Sequence, residues 1–443
     1  MMELLLPPLT VALIAAPGCL FLALATGWLL DHQPTERMLA RITLVLHVAL
    51  GLILGYLAFA LWRSDSDHLL VDRGRWFTLG DFGIPIAFLI DRVSLTMAAL
   101  TVGLAGIVAS FSARYMHRDP GFFRFFLLLN LFTFGALVLF LSASLDLLFG
   151  GWELVGLSSV LLVGFFQYRR DPLRNAVRVF AAYRLADLQI VIATVLAHHW
   201  FGDAKWSDML SGTGSEAAWI VVLLLVGACG KSAQGPFFGW LARAMEGPTP
   251  SSAVFYGAIS VHAGAYLLLR VQPLIAASEV ATALVIGAGL ATALVATVAQ
   301  RTRPDAKTSL AYAAQTQVGL IFVEIGLGWT GLALLHIVGH AMLRTMQFLR
   351  APSLLHDHHK LHAAAGGQLR PADPLFALLP MGARYWLYRF GMAAGHYDAF
   401  MDRFVVAPVM RIAKMLAVFE RGPRLAEPLP KPRTTPVLER AVS

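Results

Sequence analysis

The sequence predicts an all-α, polytopic membrane helix bundle of about eleven spans, with a broken seventh helix and amphipathic carboxy-terminal helices. Three observations carry this expectation. Of 443 residues, 57% are hydrophobic and only 14% charged, and the mean hydropathy is +0.66, a composition that soluble domains do not reach. Apolar runs of spanning length recur from end to end. One of them, IVVLLLVGACG, runs straight into Lys231 and then Gly235 and Pro236.

The predicted spans cover 5–30, 38–62, 93–113, 125–142, 145–167, 175–198, 217–233, 251–271, 280–300, 308–328 and 330–349. The first lacks a basic leader and exceeds the length of a signal-peptide core, so it reads as a retained span. Between the second and third, SDSDHLLVDRGRWFTLGDFGIPIAFLIDR alternates and carries Gly turns, which suits a short exterior β-hairpin. Residues 1–350 thus form the transmembrane part and 351–374 a polar, Gly/Pro-punctuated cytoplasmic linker. Residues 375–443 combine an amphipathic, surface or partner-docking stretch with a proline-rich flexible tail.

The formal net charge of +8 is distributed by topology. Basic residues crowd alternate loops: Arg37 and Arg41, then Arg114, Arg118 and Arg124, then Arg169, Arg170, Arg174 and Arg178. Arg243, the group Arg301, Arg303 and Lys307, and the tail from Arg350 continue the series. The positive-inside rule then places the amino terminus outside and the tail in the cytoplasm. Such a pattern argues against a nucleic-acid surface. Cys19 and Cys229 form no CxxC, and no phosphate-cradling glycine loop or dinucleotide fingerprint occurs, so no redox, nucleotide or metal cofactor is expected in this chain.

Charge inside the spans carries the functional expectation. A lysine near mid-membrane costs about 3 kcal/mol on insertion scales, so Lys231 needs a partner, a wet cavity or a task. Pro236 frees backbone carbonyls that lipid cannot satisfy, and the break must be buried in protein or line water. The plain alternative is a helix end whose lysine snorkels to the interface. Glu153, among glycines in the fifth span, should face the bundle. Arg184 and Asp187 stand three apart on one face of the sixth, a spacing that allows an ion pair. Burial disfavours a lysine's charge while a nearby carboxylate favours it, so a moving partner can make it release and rebind a proton. A static network holding helices together is the bland competitor.

Tyr256 and His262 on the eighth span extend the polar line. In the eleventh, His336, His340 and Arg344 recur every fourth residue on one stripe. Two such histidines could bind zinc, but no HExxH or acidic third ligand accompanies them, and a proton wire is the better use. Lys307 and Glu324 fall at opposite ends of the tenth span, as outer members of the line or as snorkelling ends. The cluster His356, Asp357, His358, His359 and Lys360 reads as a solvated face.

GGWELVGLSS, YRLAD, GKSAQGPFFGWLARAMEGPTPSS, SLAYAAQTQVG and HIVGHAMLRTMQF, in this order and spacing, resemble the antiporter-like proton-conducting subunits of respiratory complex I and the Mrp antiporters. HYDAFMDRFVVAPV is similar to the extreme carboxyl region of the large complex I subunit. The resemblance implies that Glu153 and Lys231 form the central pair, that Asp187 and Arg184 form a second, and that His336 and His340 continue the path. It departs in two places. Arg344 stands where the family has a lysine, and arginine cannot relay a proton. The family's second broken helix and long lateral helix are not expected after the eleventh span. By architecture, the chain also resembles DabB-type subunits of bacterial inorganic carbon uptake. That resemblance implies a cytosolic DabA-type partner holding the zinc, in the cytoplasmic membrane. The alternatives are a membrane-arm subunit of a complex I-like or hydrogenase-type complex, and a cation/proton antiporter subunit.

Overall fold

Each predicted apolar run is a helix in the computed structural model. It describes residues 2–365 apart from Asp81 and Thr213, residues 378–401, and scattered positions to 415. The spans are α1 (Met2–Leu29), α2 (Glu36–Arg63), α3 (Arg92–Tyr115), α4 (Phe122–Leu141), α5 (Leu145–Val163), α6 (Arg170–Phe201) and α7 (Ser215–Lys231). They continue as α8 (Thr249–Arg270), α9 (Glu279–Gln300), α10 (Ala306–Gly326) and α11 (Thr330–Ala365). Among the described residues, nine helices are long and apolar enough to cross a membrane. The other two are α7, cut to 17 residues by the break, and α10, diluted by Lys307, Gln315, Gln317 and Glu324.

Side-chain caps set several helix starts. Thr35, Ser144, Ser278 and Asp305 each accept from a backbone N–H in the first turn of the helix that follows, supplying a partner for one of the four orphan donors there. At α3 the cap is reciprocal. Asp91 Oδ1 accepts from Ser94 N and Ser94 Oγ accepts from Asp91 N, both at 2.8 Å.

The expected hairpin is present. Strands β1 (His68–Leu79) and β2 (Phe82–Asp91) pair antiparallel from His68 opposite Asp91 to Leu79 opposite Phe82, with irregularities on either side of Arg75. Its root is tied to the bundle by Ala143 N donating to Ala87 O at 2.9 Å and by the Asp91–Arg270 ion pair.

α8 and α4 form the centre, buried over 100% and 89% of their apolar windows, while α1, α2, α6 and α9 lie at the periphery. α9 and α10 meet backbone to backbone. A Cβ at Gly319 would stand 2.6 Å from Gly289 O, so only glycine permits this approach.

The helix α11 departs from the expected linker, because it runs on to Ala365. Leucines and alanines in APSLLHDHHKLHAAA outweigh Pro352 as helix formers. The side chains of 352–365, the histidine cluster among them, lie outside the described residues, as do 366–377 and most of the tail. Helix α12 (Met381–Met392) packs on the end of α9 and the turn after it, where Arg303 Nη2 donates to Gly391 O at 3.1 Å and Met392 O at 3.2 Å. One compact unit spans Met1–Gly395. A second, His396–Ser443, contains the short helix α13 (Tyr397–Met401).

Candidate proton-conducting site

The break begins at the last residue of α7. Lys231 closes the helix, Ala233 takes a left-handed backbone (φ 52°), and the Gly235–Pro236 peptide is cis. The carbonyls freed there are met by side chains and backbone from nearby. Trp240 Nε1 donates to Gly230 O at 2.8 Å, Gln234 N to Cys229 O at 2.8 Å, and Gln315 Nε2 to Ala233 O at 3.3 Å and Phe238 O at 2.5 Å. Gly235 N is satisfied by Thr292 Oγ1 at 2.8 Å. Residues 231–234 are buried, whereas Pro236 is exposed, so the break is satisfied by partners in the protein on its inner side. Trp240, Gln315 and Thr292 were not foreseen as its partners, because nothing in their local sequence announces a distant carbonyl.

Lys231 is wholly buried. Its Nζ donates to Trp152 O at 2.9 Å and lies 4.5 Å from the Tyr183 ring centre and 5.0 Å from that of Trp152. Gly156 makes room, since a Cβ there would stand 2.8 Å from Nζ. The ammonium therefore settles on a backbone carbonyl and two aromatic faces.

The expected direct pair of Glu153 and Lys231 is not formed. Among the described residues, Glu153 Oε2 instead meets Arg184 Nη2 at 2.5 Å, and the same nitrogen meets Asp187 Oδ2 at 2.9 Å. Asp187 Oδ1 accepts from Trp152 Nε1 at 2.6 Å. The longer arginine reaches between the two carboxylates, while the bare flank at Gly156 draws the lysine onto α5 itself. Arg184 and Asp187 pair as their spacing predicts.

From Lys231 the polar line continues through Tyr183. Ser159 Oγ lies 3.3 Å from Tyr183 Oη and 2.9 Å from Tyr256 Oη. Ser159 and Tyr183 were missed at the level of sequence, where a serine and a tyrosine in apolar helices carry no distinguishing pattern. Around Tyr256, α8 is irregular, with a π-helical stretch over Ser252–Ala258 and a 3-10 turn over Ser260–His262. Such interruptions concentrate at functional positions. Ser232, beside Lys231 in sequence, has a fully buried hydroxyl without a partner among the described residues.

His262 opens a second cluster. Its Nδ1 bonds to Ala258 O, so that nitrogen carries the proton, and Nε2 accepts from His340 Nδ1 at 2.9 Å. His340 Nε2 in turn accepts from Arg344 Nε at 3.3 Å, and Arg344 Nη1 donates to Gln347 at 2.8 Å. Arg344 is thus a tethered, fixed charge. His336, whose ring centre is 6.4 Å from that of His340, bonds through Nδ1 to Glu324 Oε1 at 2.8 Å and through Nε2 to Gln317 Oε1 at 3.0 Å. Glu324 does not snorkel. It is held inward by His336, and its Oε2 is buried without a partner among the described residues.

Lys307 joins neither cluster. Its Nζ donates to Met245 O at 2.8 Å and Gly247 O at 3.0 Å, pinning the chain that follows the break. Around it lies a cavity lined also by Tyr115, Asp119, Arg169 and Glu246.

Two family models match this architecture. Residues 142–409, which carry every member of both clusters, match the family described as NADH:quinone oxidoreductase/Mrp antiporter, TM. The chain belongs to that family. Residues 76–126 of this antiporter-like protein match the amino-terminal region of complex I chain 5. It is 35% identical over 313 residues to NADH-quinone oxidoreductase subunit L of Escherichia coli (strain K12), covering 68% of this chain and 51% of that one. The Campylobacter jejuni subunit L is 37% identical over 325 residues, covering 72% and 54%. The antiporter-like protein thus spans about half the length of the curated relatives it matches. In structure it is similar to a chain of the Mrp complex from Dietzia sp. DQ12-45-1b. The TM-score is 0.65 at 29% identity, over 77% of this chain and 37% of that one.

Proposed function

We propose that this integral membrane protein is a proton-conducting, antiporter-like subunit of a larger assembly of the complex I or Mrp kind, without redox or hydrolytic chemistry of its own. The supporting observation is the pair of polar clusters beside the broken helix, one centred on the buried Lys231 and the other on the buried His262 and His340. In this reading Arg184 is the switch. When it leans towards Glu153, Asp187 is free to turn to Lys231 and favour its protonated form. When it returns to Asp187, Lys231 loses that support and releases its proton towards Tyr183, Ser159 and Tyr256. His340, His336 and Glu324 carry the charge onward.

In reconstituted vesicles, Lys231→Ala and Lys231→Arg should both cut proton flux about a hundredfold, since neither residue can take up and release a proton. Full flux in either variant would sink the assignment. The expected orientation has the amino terminus outside and the tail in the cytoplasm. Labelling of a Thr78→Cys hairpin variant by an impermeant thiol reagent added to intact cells tests this, and protection from it would reverse the assignment.

Of the complexes considered, the relatives support the redox and antiport assemblies over inorganic carbon uptake. The carbon-uptake reading stands second, resting on the architecture of an antiporter-like core followed by a basic carboxy-terminal segment. Purification in mild detergent separates the two. Iron–sulfur, quinone-reactive or antiporter subunits support the first, and a large soluble zinc protein of DabA type supports the second.

A further inference from the structure

Trp152 touches both Asp187 and Lys231, the two groups between which the switch works. It is fully buried on α5. Its indole Nε1 donates to Asp187 Oδ1 at 2.6 Å, while its backbone O accepts from Lys231 Nζ at 2.9 Å. The same ring lies 5.0 Å from that ammonium. One residue thus holds the carboxylate at one end and the lysine at the other, and among the described residues no ion pair joins the two directly.

The two carboxylates of the cluster are held differently. Glu153 has Oε2 on Arg184 and Oε1 buried without a partner among the described residues. Asp187 has both oxygens engaged, Oδ2 by Arg184 at 2.9 Å and Oδ1 by Trp152. When Arg184 leans towards Glu153, the indole bond is the hold on Asp187 that remains. An ionised carboxylate only accepts, so the indole N–H and the Lys231 ammonium compete for the same oxygens. The ring is buried in a close-packed interior and cannot follow the carboxylate. Facing this group are Glu153 on α5, Tyr183 and Arg184 on α6 and, through Ser159, Tyr256 on α8. A change at the indole nitrogen leaves all of them in place.

We propose that Trp152 is a positioning residue of the relay. Its indole N–H gives Asp187 a neutral place to rest, so that the contact with Lys231 is made and broken rather than kept. This role rests on the proton-conducting reading above.

The test is proton flux against pH in vesicles containing the full chain. One variant is Trp152→Phe, and a second carries 3-benzothienylalanine in place of Trp152, which keeps the outline of the ring and removes only the N–H. In both, Asp187 loses its resting place and stays on Lys231, which then holds its proton. Flux at pH 7 should fall about tenfold, and its half-maximal point should move up by about one pH unit, so that part of the loss is recovered in alkaline buffer. Flux lowered by the same factor at every pH shows a packing role alone and overturns the proposal. So does a profile like the wild type's, or one moved to lower pH. Should Trp152→Phe melt lower in detergent, the benzothienyl variant decides alone. Failure of the proton-conducting reading looks different, because there Lys231→Ala conducts as well as the wild type, and Trp152 loses this task with it.

Discussion

Arg184 stands between two carboxylates, 2.5 Å from Glu153 Oε2 and 2.9 Å from Asp187 Oδ2. The helical spacing of Arg184 and Asp187 was enough to predict their pairing, because residues three apart on one helix share a face. The partner of Glu153 was not legible, since sequence fixes the face a residue occupies and not which neighbouring helix reaches it first. Glu324 was underestimated for the same reason. Its position near a helix end suggested an interfacial residue, and only the fold brings His336 across to it at 2.8 Å. Gln317 also faces the ring at 3.0 Å, so among the described residues the Glu324 carboxylate is the counter-charge the ring meets. Glu324→Gln removes that counter-charge and keeps the shape. It should lower proton flux about tenfold, with melting unchanged within about 1 kcal/mol. Wild-type flux in this variant would remove Glu324 from the path.

Among the elements, the helices and the hairpin were legible because spanning length and alternation are dictated by the bilayer and by the pleat. The π-helical stretch of α8 was not, since SAVFYGA contains no proline and its winding follows from tertiary packing. Nor was the clamp at the root of the hairpin, which joins residues 179 positions apart. There Asp91 caps α3 and accepts from Arg270 Nη2 at 3.1 Å. Burial alone would push the Asp91 carboxyl up, but Arg270 and the Ser94 bonds outweigh it and hold it below the ordinary carboxylate value. A depressed acid adds stability that is complete above its unfolded value of about 3.9 and is lost as pH falls through the folded one. Asp91→Asn should therefore melt lower at pH 7, by about 3 kcal/mol for a buried pair stripped of one charge. It should also lose part of the wild type's acid sensitivity between pH 5 and 2. Parallel melting curves for the two proteins across that range would refute the clamp.

At the scale of the whole molecule, the family, the broken helix and both clusters were legible from five short motifs, and the joining of the clusters was not. In the proposed path that joining runs through Tyr183, Ser159 and Tyr256, small groups that meet only when α5, α6 and α8 are packed together. Charge substitutions along such a path change the field of the entire bundle as well as the residue replaced. Gly156, which gives Lys231 Nζ its place against α5, offers a cleaner instrument. Gly156→Ala keeps every ionisable group and displaces only the ammonium. A loss of flux of about tenfold or more would then measure position free of charge, whereas undiminished flux would show that the lysine works equally well from another perch.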